Sequence, residues 1–327
     1  MIKRIAKWIR EFFANYIWFQ KKLREKYSLG QCILLNFQFL WCVVTDGCSP
    51  EEYLWFEFYH KNRQERKTFL TYLRHAKLQR RYNSKRVRNI LNDKQKFNEF
   101  FKKELGREWL DADSADADEI EQFLKKHQMV MVKPKFGRGG VEVHKYYYQG
   151  EKTDETIFSG CLLEECIQQH KLLQEFNPNV VNTLRIGTFC INGKAEVFAA
   201  GLRMGISEGC VDNLCAGGIC ANVQICHGIV NSSGIDGDLN RFKANPYSGK
   251  KLQGFRVPYW NEAKELAVSS AQRLSDRNIV GWDVAITKDG PVLLEGNPDQ
   301  GTGVIQMCDT VGKYPGIQRR IKESRSV

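Results

Sequence analysis

The chain has 327 residues, 42% of them apolar and 27% charged, with a net charge of +11. That length allows one large domain or two to three smaller ones, and the composition excludes a chain too poor in apolar residues to build a core. The charge is uneven: residues 1–110 hold 24 Lys and Arg against 11 Asp and Glu, and the remainder 25 against 27. A basic partner surface therefore belongs to the N-terminal third alone.

Residues 2–24 place Ile2, Ile5, Ile9, Phe12, Phe13 and Tyr16 at helical spacing, with Lys3, Arg4, Lys7 and Arg10 between them and Trp8 and Trp18 at the edges. Two readings stand for this basic amphipathic helix. Its apolar face docks on the protein itself, or the helix lies on an anionic membrane surface. The charges in "MIKRIAKWIREFF" break the apolar run that a cleavable signal needs, so a reducing cytoplasm is expected. "CILLNFQFLWCVV" (32–44) is expected to be too short to span a bilayer, with Asn36 and Gln38 interrupting it.

A helix is expected to start in "GCSPEEYLWFEFY", where Ser49 caps, Pro50 takes the first helical position and Glu52 completes a capping box. Residues 61–92 are rich in Lys and Arg, with Phe69, Leu70, Leu73 and Leu78 spaced as one helix face. The aromatics fall on the apolar face, which disfavours nucleic acid and favours a solvated or lipid-facing basic face. Lys94 opens a further helix, and "DADSADADE" (111–119) reads as an acidic loop leading into another.

"VMVKPKFGRGGVEVHKYY" (130–147) reads strand, loop, strand. Gly137, Arg138, Gly139 and Gly140 form the loop, and glycines let backbone N–H groups close over a phosphate chain. A P-loop joins a strand to a helix, so this is not one. Lys133 ends the incoming strand and aims a cation at the same place. "GCLLEECIQQH" (160–170) is an apolar strand that ends in paired acids. Its last residues can offer backbone groups to a purine edge.

The 11 cysteines include Cys210, Cys215, Cys220 and Cys226, but no C-x-x-C pair occurs and no zinc pattern fits. Cys220 and Cys226 are expected to be small buried side chains in strands. His127, His144 and His227 stand apart from any nucleophile set.

"GWDVAITKDGPVLLEGNPDQG" (281–301) reads as a hairpin about a three-residue loop. Pairing Thr287 with Pro291 sets Ala285 opposite Leu293 and Asp283 opposite Glu295, with Asn297 two residues on along the same face. Two carboxylates at about 5 Å repel by roughly 3–4 kcal/mol at an effective dielectric near 20. Solvent, a neighbouring Arg or a hard divalent cation held by three oxygen donors can compensate.

The order of these pieces resembles the ATP-grasp superfamily over about residues 90–305. "NTLRIGTF", "GLRMG", "VDNLCAGGI", "NPYSGK", "VPYW" and "VGWDVAIT…GPVLLEGN" resemble its sugar-transfer-associated family, found with polysaccharide biosynthesis genes. The resemblance implies an α+β fold, two subdomains clasping ATP after a basic helical N-terminal region. The domains expected are 1–90 helical, 91–167 lid and hinge, and 168–327 metal and substrate. It implies ATP contacts from Lys94, Lys133, the loop Gly137, Arg138, Gly139 and Gly140, the hinge Glu164, Glu165, Cys166 and Ile167, and His170 or Gln168 near the ribose. Asp283, Glu295 and Asn297 would hold two Mg²⁺ ions, with Mn²⁺ as an alternative. Arg203, Arg185 and Asn213 would act at the transferring phosphoryl group, and Asp212, Gly217 and Gly218 would face the substrate with Arg185. Asn245 in "NPYSGK" is given no role.

The function these residues imply is an ATP- and Mg²⁺-dependent carboxylate–amine ligase that works through an acyl phosphate. Its expected partners are a carboxylate and an amine, one of them a sugar or lipid-linked glycan precursor of a surface polysaccharide. Residues 1–45 would meet the inner face of an anionic membrane, and no nucleic acid is expected. One alternative is a kinase that phosphorylates a hydroxyl at the same site. The other is a nucleotide-sensing protein that binds membrane or nucleic acid.

Overall fold

The computed structural model describes residues 2–137, 142–150, 153–208, 212, 214, 217–301 and 303–325, and of residues 2–11 the backbone alone. In chain order the helices are α1 (Ile2–Lys26), α2 (Leu29–Asp46), α3 (Pro50–Trp55), α4 (Arg63–Arg66), α5 (Tyr72–Tyr82), α6 (Lys85–Asn92), α7 (Lys94–Phe100), α8 (Ala117–His127), α9 (Lys171–Gln174), α10 (Trp260–Leu274), α11 (Gly303–Gln306) and α12 (Tyr314–Glu323). The strands are β1 (Trp109–Asp111), β2 (Met129–Pro134), β3 (His144–Tyr147), β4 (Cys161–Glu165), β5 (Thr183–Ile191), β6 (Lys194–Met204), β7 (Ile219–Asn222), β8 (Gly234–Ile235), β9 (Arg241–Phe242), β10 (Asn278–Thr287) and β11 (Gly290–Asn297). The chain divides into two units, Met1–Arg81 with Gly301–Val327, and Tyr82–Gln300.

The first unit is helical. Helix α3 is capped as the sequence expects: Ser49 Oγ accepts from the Glu52 amide and the Glu52 carboxylate accepts from the Ser49 amide, and the structure adds a second box of Ser28 and Gln31 at α2. Asp46, at the end of α2, is buried and pairs with Arg66 at 3.2 Å and Arg74 at 2.8 Å. The expected single helix face over 61–92 is broken into α4, α5 and α6. Phe69 and Leu70 lie between helices and are buried, whereas Leu73 is exposed. Helix α2 also corrects the expectation for "CILLNFQFLWCVV". The helix runs 18 residues at mean hydropathy 1.3 and is long and apolar enough, by length and composition, to cross a membrane.

Contacts divide the chain after Arg81 and after Gln300. Residues 301–327 group with the N-terminal helices because Gln306 exchanges hydrogen bonds with the Leu70 backbone and the Tyr314 amide donates to Thr68 O. A Cβ on Gly312 would stand 2.3 Å from the Thr68 carbonyl. Gly312→Ala should therefore cost about 1–3 kcal/mol, because backbone cannot yield as a side chain does. Chemical denaturation would read it as a lower midpoint at unchanged slope.

Among the described residues the second unit carries two antiparallel sheets, β1-β4-β2-β3 and β11-β10-β5-β6-β7-β8-β9. Helix α8 covers the smaller sheet through Ile120, Leu124, Val130, Val132 and Leu163. Its capping box starts at Asp116, where the acidic loop ends. The larger sheet packs Leu184, Ile186, Leu202, Val280, Trp282 and Val284 against α6, α7 and α10. Side chains alternate across a strand, so Arg185, Arg203 and Asp283 fall on the opposite face. That alternation explains why a strand can carry an acid inside an apolar run.

Cys220 is buried in β7 as expected, but Cys226 is exposed in a turn beyond that strand. Cys210 and Cys215 lie outside the described residues.

Candidate active site

The site is built on the face of the larger sheet that carries Arg185, Arg203 and Asp283. Asp283 stands opposite Arg185 on β5 and opposite Glu295 on β11. The hairpin reaches that register by another route than the sequence suggests. Thr287 pairs with Gly290 across a two-residue loop, and Leu294 then bulges between the pairs Val284–Leu293 and Asp283–Glu295. A shift of one residue at the turn is undone by one extra residue in the strand, which restores the acids to one face.

Asp283 is 1% exposed and fully engaged. Arg185 Nε and Nη2 donate to its two oxygens at 2.6 and 3.1 Å, and Arg203 Nη2 lies 3.0 Å from Oδ2. Burial would raise the Asp283 pKa, but the two guanidiniums overcome it and hold the group at about 2. Arg203 also donates to Thr183 Oγ1 at 2.9 Å and lies 3.4 Å from Asp212 Oδ1. The other oxygen of Asp212 accepts from the Thr183 amide at 2.9 Å and from its hydroxyl. The Asp212 carboxylate thus orients Thr183 and Arg203.

Among the described residues no Arg forms an ion pair with Glu295. Its pKa is raised, first by burial of the carboxyl and then by the charge of Asp283. Asn297 Nδ2 donates to Glu295 Oε1 at 3.0 Å and to Asp283 Oδ2 at 3.3 Å. Among the described residues no group of three or more His, Cys, Asp or Glu is placed to hold a metal ion. The oxygen set here is two carboxylates and an amide, which suits a hard cation that fills its shell with phosphate and water. The donor set is the observation that fits a cation: the two carboxylates stand opposite each other with Asn297 bonded to both, and positive charge there relieves their repulsion.

Two lysines reach this place from the smaller sheet's side. Lys94, capped into α7 by Asp93, donates to the carbonyls of Pro134 at 2.8 Å and Gly137 at 3.3 Å. Burial lowers its pKa, and the opposing influences are led by the charge of Glu295, so the lysine and the acid share one field. Lys133 Nζ lies 2.5 Å from Glu164 Oε2. Glu164 is 2% exposed and also takes Arg107 Nε at 2.7 Å and Asn98 Nδ2 at 2.9 Å. Burial opposes its ionisation, but Arg107 and Lys133 hold its pKa well below the carboxylate range.

Sequence reasoning missed Arg107, Asn98 and Thr183. Arg107 matters most, because its Nη1 also donates to Leu293 O at 2.7 Å and its Nη2 to Leu294 O at 3.3 Å, at the bulge beside Glu295. One guanidinium ties the lysine-bearing sheet to the acid-bearing strand. In "LGREWL" it reads as one more cation of a basic region, and no local signal separates it from the rest.

Other expected contacts have separate partners. Glu165 exchanges bonds with the Glu108 backbone, its amide donating at 2.9 Å and its carboxylate accepting at 3.0 Å. Cys166 and Ile167 follow β4, half-buried. His170 caps α9, its Nδ1 accepting from the Leu172 amide at 3.2 Å, and its own amide donates to Ile286 O at 2.7 Å. Gly217 is exposed and Gly218 buried just before β7. Asn245 is fully buried and closes a turn by accepting from the Tyr247 amide at 2.8 Å. Arg138, Gly139, Gly140 and Asn213 lie outside the described residues.

The model of the family described as sugar-transfer associated ATP-grasp matches residues 144–321, just over half of the chain. Among solved structures, the ATP-grasp ligase PsnB, complexed with a phosphomimetic variant of its minimal precursor, Mg and ADP, is similar at 14% identity and a TM-score of 0.46. That match covers 80% of this chain and 69% of PsnB. D-alanyl-alanine synthetase A from Vibrio cholerae O1 biovar eltor is similar at 13% identity and a TM-score of 0.41, over 72% of this chain and 61% of its own. No curated protein matches the chain.

Proposed function

The chain belongs to the sugar-transfer associated ATP-grasp family, and from that premise we propose that it is an ATP- and Mg²⁺-dependent carboxylate–amine ligase acting in surface-polysaccharide assembly. Its carboxylate or its amine would be carried by a sugar or lipid-linked glycan precursor. The observation that carries the reading is the oxygen-donor set of Asp283, Glu295 and Asn297, brought to one face of the β10–β11 hairpin with Arg185 and Arg203 bound to Asp283.

Phosphoryl transfer needs positioning and charge neutralisation more than side-chain chemistry. Lys94 and Lys133 would hold the triphosphate. Glu164, itself held by Arg107, fixes Lys133 until the lysine exchanges a carboxylate oxygen for a phosphate oxygen. Arg203 and Arg185 surround the acid pair with positive charge where the γ-phosphoryl group would pass to the substrate carboxylate. ADP leaves, the amine attacks the acyl carbon, and phosphate is released as the amide forms. Asp283, Glu295 and Asn297 would hold Mg²⁺, which when bound supplies charge neutralisation at the phosphates.

The test is a heat-denaturation series of wild type and Glu295→Gln with ATP, Mg²⁺, both and neither. A ligand at 100 times its Kd stabilises by about 2.7 kcal/mol, and wild type should show that shift only with both present. Glu295→Gln should lose it. Without ligand the variant should be at least as stable as wild type at neutral pH. Ionising a carboxyl whose folded pKa is raised costs stability above its unfolded pKa, and glutamine keeps the bonds to Asp283 and Asn297 without the charge. A wild type that shows no joint shift removes the metal site. ADP release with carboxylate and amine pairs then identifies substrates. A phosphorylated product stable to hydroxylamine would mark a kinase instead.

A further inference from the structure

The outward face of α2 is apolar along its whole length. Leu29, Ile33, Leu34, Phe37, Trp41 and Val44 are 77%, 51%, 69%, 69%, 58% and 82% exposed. On the neighbouring α1, Phe13 and Ile17 extend the same kind of surface. Gln31 is exposed in the N-terminal capping box, but the mid-helix amides Asn36 and Gln38 point the other way. Asn36 accepts from Tyr16 OH at 3.0 Å and from Gln20 Nε2 at 2.6 Å and donates to Cys32 O at 2.7 Å, and Gln38 accepts from Tyr53 OH at 2.8 Å. A helix facing water puts its amides outside and its leucines inside. This one is inverted over its 18 residues, about 27 Å of helix.

Charge identifies the occupant. The unit that carries α2 holds 21 Lys and Arg against 9 Asp and Glu, a net of +12, which leaves −1 on the rest of the chain. α1 has eight Lys and Arg against two Glu, whereas the single charge of α2, Asp46, is buried in its ion pairs. On α1, Phe13 and Ile17 are followed at helical spacing by exposed Lys21 and Arg24. An apolar stripe bordered by cations suits the boundary between acyl chains and anionic headgroups.

We infer that α2 beds its outward face in one leaflet of an anionic membrane and lies in the plane of that membrane. Spanning is disfavoured although the helix is long enough, because it would pull Phe39 and Cys42 out of the core and Asp46 away from Arg66 and Arg74. The inference does not rest on the ligase reading, since association is read without nucleotide.

The test is cosedimentation of the full chain with vesicles of mixed phosphatidylglycerol and phosphatidylcholine, and of phosphatidylcholine alone. Wild type should pellet with the anionic vesicles and be partly released by salt. The triple variant Leu34→Glu, Phe37→Glu, Trp41→Glu should bind more than about tenfold more weakly, since each buried apolar side chain is worth at least that factor. Its thermal transition should be retained, because all three side chains face out. Lys21→Glu with Arg24→Glu should erase the preference for anionic lipid. Should the triple variant fail to fold, bromine-labelled lipid provides the second reading: it should quench wild-type tryptophan emission, and Trp41→Phe should remove most of the quenched part. Absence of vesicle binding or of quenching overturns the inference. So does a wild-type dimer in solution that the triple variant dissociates, because a second copy would then cover the face.

Discussion

Asp283→Asn should destabilise the protein by about 3–5 kcal/mol, the usual cost of removing one partner from a buried ion pair. The asparagine nearly matches the aspartate in shape, so the loss is electrostatic. Arg185 and Arg203, 6% and 5% exposed, would keep their charges after losing the carboxylate that both of them bind, although Asp212 and the Thr183 hydroxyl still stand beside Arg203 and Glu295 lies near it. Urea denaturation of the chelator-treated protein would read the loss directly. The same pairing fixes an acid dependence. Asp283 has a folded pKa of about 2, below its ordinary 3.8, so its contribution is fully present above about pH 4 and is lost as the pH falls towards 2. Glu164, also depressed, adds to the loss in the same direction. The variant's stability should therefore be flatter than wild type's between about pH 4 and pH 2. Equal slopes for the two proteins would mean that the pair contributes nothing.

Lys133→Ala and Arg107→Leu should fail in opposite ways, although both remove a cation from Glu164. Lys133 is partly exposed, and Arg107 is buried and bonded to β11. Without Lys133, Arg107 still neutralises Glu164 and the fold survives. ADP formation should then drop by about 10²–10³, as when one preorganised donor is removed from a developing charge. Without Arg107, Leu293 and Leu294 lose their donor at the bulge and Lys133 alone must hold the buried acid. A loss of about 3–5 kcal/mol in stability is expected. Denaturation midpoints and ADP release measured on both proteins separate the two roles. A stable Arg107→Leu protein with unchanged activity would show that the bridge is dispensable.

Much of this site can be read locally. Alternation within "WDVAIT" and "PVLLEGN" puts Asp283, Glu295 and Asn297 together, and the structure keeps them together even though the turn is one residue shorter than the spacing suggests. A bulge cannot be read from two apolar runs, because Leu294 has the same side chain as its neighbour. Lys94 and Lys133 are legible because each sits at the end of an element that the cap and the strand pattern define. The role of Arg107 is not, since its partners are 57 and 186 residues away.

By itself the sequence determined the capped start of α3 at Ser49, the strands that carry Lys133, Asp283 and Glu295, the face on which the hairpin acids lie and the family. These follow from bonds and periodicities that reach only a few residues along the chain. Only the tertiary structure decided which charge neutralises which, that residues 301–327 pack with the N-terminal helices, and that Asn36 and Gln38 turn inward while the apolar face of α2 turns out. Those choices depend on which surfaces meet when distant segments fold together. A periodic pattern gives the direction of a side chain relative to its own strand or helix, and the packed fold supplies what stands opposite.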